Sequence, residues 1–141
     1  MKRLVIIRGL PGSGKTTEAL KHVKAAVDLD LSVAHNEADD YFMEGLTYRF
    51  DPRLLGRAHN RCLTMTIEEM GRGTNLVIVS NTFSEYWEMA PYRRAAEAIG
   101  YEQRIITLFD AGFSDEQLVE RAKGHQVPLE SIQAMRARWE E

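Results

Sequence analysis

The chain has 141 residues, of which 44% are hydrophobic and 28% charged, a length and mix that suit one compact domain with no separate substrate domain. Eighteen basic against 21 acidic residues give a formal charge of −3. That balance excludes a uniformly cationic sleeve for nucleic acid and leaves room only for a local basic face.

In chain order, Leu4-Val5-Ile6-Ile7 is an apolar run that suits a strand buried on both faces. It is too short for a signal peptide or a membrane span, so a soluble, cytoplasmic protein with no membrane partner is expected. Thr16 to about Val27 carries Ala19, Leu20, Val23 and Ala26 at helical spacing. Ser32-Val33-Ala34-His35 is a weak second strand. Asp51-Pro52 has the form of a cap with proline at the first helical position, opening a helix to about Met70. Gly71-Arg72-Gly73 stops it. Leu76-Val77-Ile78-Val79 is a third buried strand, Pro91 to Ile99 a helix closed by Gly100, and Arg104 to Leu108 a fourth buried strand. Ser114 with Gln117 forms a capping-box pattern that opens a helix to about Lys123. Pro128 opens the last helix, with Ile132, Met135 and Trp139 on one stripe. Strands alternating with helices predict an α/β fold, a three-layer sandwich around a parallel sheet. No linker, repeat or low-complexity block divides it, so residues 1–141 are expected to form one domain.

Gly9-Leu10-Pro11-Gly12-Ser13-Gly14-Lys15-Thr16 satisfies G-x-x-x-x-G-K-[ST] between a strand and a helix, the context that motif needs. Such a loop turns backbone N–H groups toward a phosphate, and the helix N-terminus adds partial positive charge. Gly12, Ser13, Gly14, Lys15, Thr16 and Thr17 are therefore the candidate nucleotide-binding residues. Lys15 would reach the β- and γ-phosphates, and the Thr16 hydroxyl would ligate Mg²⁺. No Asn-Lys-x-Asp segment for guanine is present, which favours ATP.

After the second strand comes Asn36-Glu37-Ala38-Asp39-Asp40-Tyr41-Phe42. Ligands of open parallel sheets sit beyond the C-terminal strand ends. A carboxylate there could take the proton from an attacking hydroxyl, or simply cap the next helix, and the pair could divide the two tasks.

At this point the chain resembles a known family. Gly9 to Thr17, Asp39-Asp40-Tyr41-Phe42, Tyr48-Arg49-Phe50-Asp51-Pro52, Leu55 with Ala58-His59, Val79-Ser80-Asn81-Thr82, Trp87-Glu88-Met89 with Pro91-Tyr92, Gly100-Tyr101, Arg121 and Val127-Pro128 stand in order. Together they resemble the polynucleotide-kinase branch of P-loop kinases, including the short phage-type polynucleotide 5′-hydroxyl kinases. The resemblance implies a P-loop NTPase/kinase fold with a C-terminal helical lid at 114–128. It implies ATP and Mg²⁺ as cofactors and a nucleic-acid strand or end as the substrate. It also implies Asp39 as the general base and Arg121 as the lid arginine closing over the donor. Ser80-Asn81-Thr82 matches the segment between donor and acceptor, making Asn81 and Thr82, with Asp40, candidate substrate-binding residues. Two positions depart from the pattern. Phe42 stands where phage-type enzymes carry a basic residue, and Asn81 stands where some members carry an aspartate that gives Mg²⁺ a negative neighbour.

The segment 41–70 is the longest between a strand end and the next strand and is expected to be a helical acceptor-binding insertion. Arg49, Arg53, Arg57 and Arg61 recur every four residues, the last three within one predicted helix. They suit either a phosphate backbone or a solvated helix face. Tyr41, Phe42, Tyr48 and Phe50 suit either base stacking or core. His22, His35 and His125 need no special role, and Cys62, Trp87 and Trp139 are expected to pack inside. No cluster has structural-metal spacing. Three functions compete on this basis. They are a kinase of a nucleic-acid 5′-hydroxyl, a kinase of a modified base or small metabolite, and a nucleotide-binding module without turnover.

Overall fold

A computed structural model describes all 141 residues. Four parallel strands form the sheet: β1 (Arg3–Gly9), β2 (Val33–Asn36), β5 (Leu76–Asn81) and β6 (Glu102–Phe109), in the order β2-β5-β1-β6. The helices are α1 (Lys15–Asp28), α2 (Leu55–Gly71), α3 (Tyr86–Ile99), α4 (Asp115–Arg121) and α5 (Leu129–Ala137). Between β2 and α2 lie a 3₁₀ turn (Ala38–Phe42) and a hairpin of β3 (Met43–Glu44) and β4 (Thr47–Tyr48).

The two central strands alternate between two cores because successive side chains leave opposite faces. Leu4, Ile6, Val77 and Val79 pack under α2 and α3, against Cys62, Met89 and Tyr92 among others. Val5, Ile7, Leu76 and Ile78 pack under α1, against Ala19 and Ala26. Each such branched side chain, removed from water, contributes roughly 1.5–3 kcal/mol. A third, smaller core joins Leu10 of the P-loop to Leu118 of α4 and Ile132 of α5. Met135 and Trp139 pack against it, as the predicted stripe requires. It seats the C-terminal helices beside the phosphate loop.

Several expectations need correction. The strand predicted at Arg104–Leu108 is not buried on both faces; β6 is a sheet edge, and Ile105 is 37% exposed. α3 begins at Tyr86, not at Pro91, which lies inside the helix. Glu85 and Glu88 form a capping box there, and the proline costs only the bond to the Trp87 carbonyl in the first turn. Trp87 does not pack: it is 69% exposed, and its Nε1 donates to Glu85 Oε2 at 3.1 Å. Segment 41–70 is not purely helical. It starts with the hairpin, whose Gly45 adopts φ 63 at the first loop position. Pro52 opens a 3₁₀ turn (Pro52–Leu54) rather than α2 itself. Cys62 is buried, as expected. No helix is long and apolar enough to cross a membrane.

Candidate active site

The C-terminal ends of β1, β2 and β5 open into a cleft of about 560 Å³. Its floor is the loop between β1 and α1. Two glycines there make room for close neighbours, and at Gly12 the neighbour is backbone. A Cβ on Gly9 would lie 2.4 Å from Ser13 Oγ. Gly12 has φ +82, and a Cβ on it would lie 2.7 Å from the Leu118 carbonyl oxygen. Gly14, also left-handed, precedes the first turn of α1. Ser13 is buried and its N–H donates to Leu10 O. Lys15, Thr16 and Thr17 line the cleft. The Lys15 ammonium donates to Gly9 O at 2.9 Å and Leu10 O at 3.1 Å. Burial brings its pKa down to about 8, against the opposing pull of Glu37 and Asp39.

The two aspartates after β2 are placed differently. Asp40 is exposed, and its carboxylate accepts the Glu37 N–H at 3.3 Å, capping the 3₁₀ turn. Partial desolvation of the carboxyl where it folds back on the turn, with the Glu37 charge nearby, raises its pKa. Asp39 faces the cleft. Its Oδ1 accepts the Tyr48 hydroxyl at 3.2 Å, and its Oδ2 lies 3.3 Å from His125 Nδ1. Burial alone would raise the Asp39 carboxyl. The bonds from His125 and Tyr48, with Lys15, outweigh burial and hold it below the usual carboxylate range. Burial and the Asp39 charge push the Tyr48 phenol up.

Asn81 is buried at the end of β5. Its Oδ1 accepts the Ala38 N–H at 2.8 Å, which anchors the turn carrying Asp39. Thr82 lines the cleft, and its carbonyl accepts the Gly9 N–H. Arg121 also lines the cleft; its Nε donates to Gly12 O at 2.7 Å while the guanidinium lies over Phe113.

The arginines of the 41–70 segment are placed differently from the predicted stripe. Arg53 lies in the 3₁₀ turn before α2 and is paired with Asp51 at 2.8 Å, and Arg49 is paired with Glu44. Arg57 is exposed on α2, and Arg61 borders a shallow recess with Asp40 and Asn36. None of them lines the main cleft, whose wall on that side is Tyr48, Phe50, Leu55 and His59. Of the four aromatics, Phe42 is core. Tyr48 and Phe50 stack at an interplanar angle of 7°, with His125 on Tyr48 at 4.7 Å.

Sequence reasoning passed over Glu37, His35 and His125, and gave Ser80 no role of its own within the Ser80-Asn81-Thr82 segment. Glu37 Oε1 accepts the Thr16 hydroxyl at 2.7 Å and the Ser80 hydroxyl at 3.1 Å, and lies 3.2 Å from His35 Nε2. Burial works against the Glu37 carboxylate, but bonds from His35, Thr16 and Ser80 keep its pKa below the usual range. The signal available was position: Glu37 and Ser80 both stand where a strand ends. A hydroxyl and a carboxylate form an oxygen donor pair that suits Mg²⁺. No set of three His, Cys, Asp or Glu residues could hold a metal ion alone.

The family model described as "AAA domain" matches residues 4–141. Human NEDD4-binding protein 2 is 36% identical over 89 residues, which are 63% of this chain and 5% of that protein. The chain thus spans a small fraction of that curated relative. Among solved structures, the Pnkp1/Rnl/Hen1 RNA repair complex contains a chain that superposes with a TM-score of 0.68 at 19% identity. The match covers 97% of this chain and 43% of that one. The APS kinase CysC of Mycobacterium tuberculosis, solved with AMPPNP and APS, superposes with a TM-score of 0.58 at 18% identity. It covers 76% of this chain and 62% of that one. At these identities the two structures bear on fold alone, and the fold they share is the three-layer P-loop kinase-like sandwich.

Proposed function

The chain belongs to the AAA-domain family as a kinase-like P-loop domain, and from that premise we propose that it transfers the γ-phosphoryl group of ATP to the 5′-hydroxyl end of a nucleic acid. One observation carries the reading: the Asp39 carboxylate shares a single cleft with Lys15 and Arg121, beside the stacked rings of Tyr48 and Phe50. The exposed ring of Phe50 offers a terminal base a face to stack on, and the 5′-hydroxyl has a carboxylate to meet. A chain of an RNA repair complex and an APS kinase share this fold, so the fold is compatible with a nucleic-acid acceptor and does not select it.

In this reading Lys15 and Arg121 place positive charge around the transferring group. Asp39, ionised at neutral pH, accepts the proton of the acceptor hydroxyl as its oxygen attacks the γ-phosphorus. Thr16 would hold Mg²⁺, which when bound neutralises charge on the β- and γ-phosphates. Asn81 keeps the Asp39 turn in register through the Ala38 N–H. Catalysis of this kind is positioning and electrostatics. Residues 1–141 act as one domain, with 114–128 as the lid.

A second reading keeps the chemistry and changes the acceptor to a small-molecule alcohol. It is favoured by the absence of Arg53, Arg57 and Arg61 from the cleft wall. The deciding experiment incubates the protein with γ-labelled ATP, Mg²⁺ and a panel of acceptors: 5′-hydroxyl DNA, 5′-hydroxyl RNA, base-modified DNA and nucleosides. Label on 5′-hydroxyl ends is the expected result. Label confined to nucleosides or modified bases replaces it with the second reading. ATP binding without transfer to any acceptor removes the kinase reading.

A further inference from the structure

P-loop NTPases generally hold Mg²⁺ between the hydroxyl of the P-loop Ser/Thr and an aspartate at the end of a neighbouring strand. The Thr16 hydroxyl is present here, and the neighbouring aspartate is not. β5, which pairs with β1, ends in Val79-Ser80-Asn81, with no acid. Asn81 is neutral and committed to the Ala38 N–H and to Cys62 Sγ. On the other side of β1, β6 runs into Asp110, whose carboxylate is bound by Arg136 at 2.7 Å. Only three carboxylates line the cleft: Glu37, Asp39 and Glu88. Glu88 is occupied by the Ser84 hydroxyl and the Glu85 N–H. Both Asp39 oxygens are held, Oδ1 by Tyr48 and Oδ2 by His125, whereas the contacts of Glu37 with Thr16, Ser80 and His35 all fall on Oε1.

We infer that Glu37, at the end of β2, supplies the carboxylate that positions the divalent cation and its water beside Thr16, a task moved one strand outward from β5. The inference rests on the reading of the cleft as a nucleotide site.

The geometry supports the transfer in three ways. Glu37 Oε1 is already 2.7 Å from Thr16 Oγ1, so the carboxylate sits at the hydroxyl that would ligate the ion. Next, β2 is separated from β1 by β5, and each strand step is about 4.8 Å. An acid on β2 must therefore reach further than one on β5. Glutamate has the extra methylene, and the short Ser80 beneath it leaves the path clear. Finally, the carboxylate is fixed in place. The Ser80 hydroxyl donates to Glu37 Oε1, so it accepts from His35 Nε2–H at 2.7 Å, and the same nitrogen reaches Glu37 at 3.2 Å. Mg²⁺ keeps several waters when it binds through one or two protein groups and phosphates. A fixed carboxylate beside the hydroxyl ligand is suited to accept from those waters. Glu37 is in this sense a positioning residue.

A merely structural Glu37 would cap the 3₁₀ turn that follows it. Binding of AMPPNP separates the two roles, measured by titration calorimetry on the full chain in EDTA and at increasing Mg²⁺. For the unaltered protein, Mg²⁺ tightens AMPPNP binding. In Glu37→Gln, metal-free affinity stays within about two-fold, while the Mg²⁺ concentration for half-maximal tightening rises about ten-fold, equivalent to about 1.4 kcal/mol. The double variant Glu37→Ser/Ser80→Asp returns the acid to β5 and is expected to recover most of that loss. Circular dichroism melts of both variants accompany the titrations. Should Glu37→Gln melt early, the double variant carries the test alone, against Glu37→Ser as its control. Unchanged Mg²⁺ dependence in Glu37→Gln, or no recovery in the double variant relative to Glu37→Ser, overturns the inference and leaves the nucleotide site standing. Failure of the unaltered protein to bind AMPPNP under either condition overturns the nucleotide reading and this inference with it.

Discussion

His125 Nδ1 lies 3.3 Å from Asp39 Oδ2, and the same imidazole stacks on Tyr48, whose hydroxyl donates to Asp39 Oδ1. The segment after α4 thus rests on the carboxylate proposed as the base. An acceptor hydroxyl and the imidazole compete for the same oxygens, so the contact must open before transfer.

That contact has a pH dependence with a definite sign. The hydrogen bond with Asp39 raises His125 above its ordinary 6.5, against the effect of burial, while Asp39 is lowered. The contact is fully formed below the ordinary histidine value, as long as Asp39 stays ionised. It weakens as pH rises through the raised His125 value. Amide exchange of residues 123–127, corrected for intrinsic rates, should therefore accelerate as pH rises above the ordinary histidine value through the raised one. His125→Gln should abolish that dependence. A profile equally flat in both proteins would disconnect the lid from Asp39.

Asp39→Asn tests the base directly. The amide keeps the size of the side chain and loses its ability to take a proton. Phosphoryl transfer should fall by about 10²–10⁴-fold, while AMPPNP affinity stays within about two-fold because the donor is held by the P-loop. A single-turnover assay beside a binding titration separates the two. An unchanged rate would assign the proton to another group.

Gly12→Ala tests the seating of the lid on the phosphate loop. The added Cβ would meet the Leu118 carbonyl oxygen at 2.7 Å and Arg121 Cβ at 3.1 Å, in a left-handed backbone position. A backbone oxygen cannot rotate away as a side chain would, so α4 must lift and Arg121 must release Gly12 O. The expected cost is about 1–3 kcal/mol in a urea melt, with weaker AMPPNP binding. Normal stability with unaltered exchange in α4 would show that the lid does not depend on this contact.

Arg8→Met tests how the C-terminal segment is held. Arg8 is 2% exposed, and its guanidinium donates to the carbonyls of Phe83, Ser84 and Glu140, at 3.0, 3.2 and 2.7 Å. It also lies 4.2 Å from the centre of the Trp139 ring. Methionine fills the volume and leaves those carbonyls unpaired. Stability should drop by about 2–4 kcal/mol, and the Trp139 share of the fluorescence should shift to the red as its packing loosens. A Tm unchanged within error would mean that solvent satisfies the freed carbonyls.

The resemblance between expected and observed structure is closest where the determinants are local. The P-loop is a strand end, three glycines and a helix start within eight residues, and the structure has that order at Gly9–Thr16. The Ser114–Gln117 box caps α4 by bonds three residues apart. The family resemblance placed Asp39, Asn81, Thr82 and Arg121 at strand and helix ends, and all four line one cleft. The arginine stripe was legible as a helical spacing only. Which face it presents depends on how α2 sits on the sheet, and Ala58, Cys62 and Met70 settle that by packing under it. Trp87 was misjudged for the same reason: its apolar surface says what burial would gain, and the helix orientation says whether burial happens.

The amino-acid sequence by itself determined the alternating strand–helix order, the phosphate loop and the acidic pair beyond the second strand. These rest on hydrophobic periodicity, glycine conformation and capping, which act over a few residues. The family resemblance pointed to Asp39 of the pair, and the tertiary structure showed that Asp40 caps and Asp39 faces the cleft. That structure alone brought Glu37 to Thr16 and Ser80, and His125 to Asp39. Those contacts join strand ends and a lid far apart in the chain. Their geometry follows from the sheet order β2-β5-β1-β6 and from the core that docks α4 and α5 against Leu10. Side-chain reach across a sheet is set by strand neighbours, and strand neighbours are not sequence neighbours.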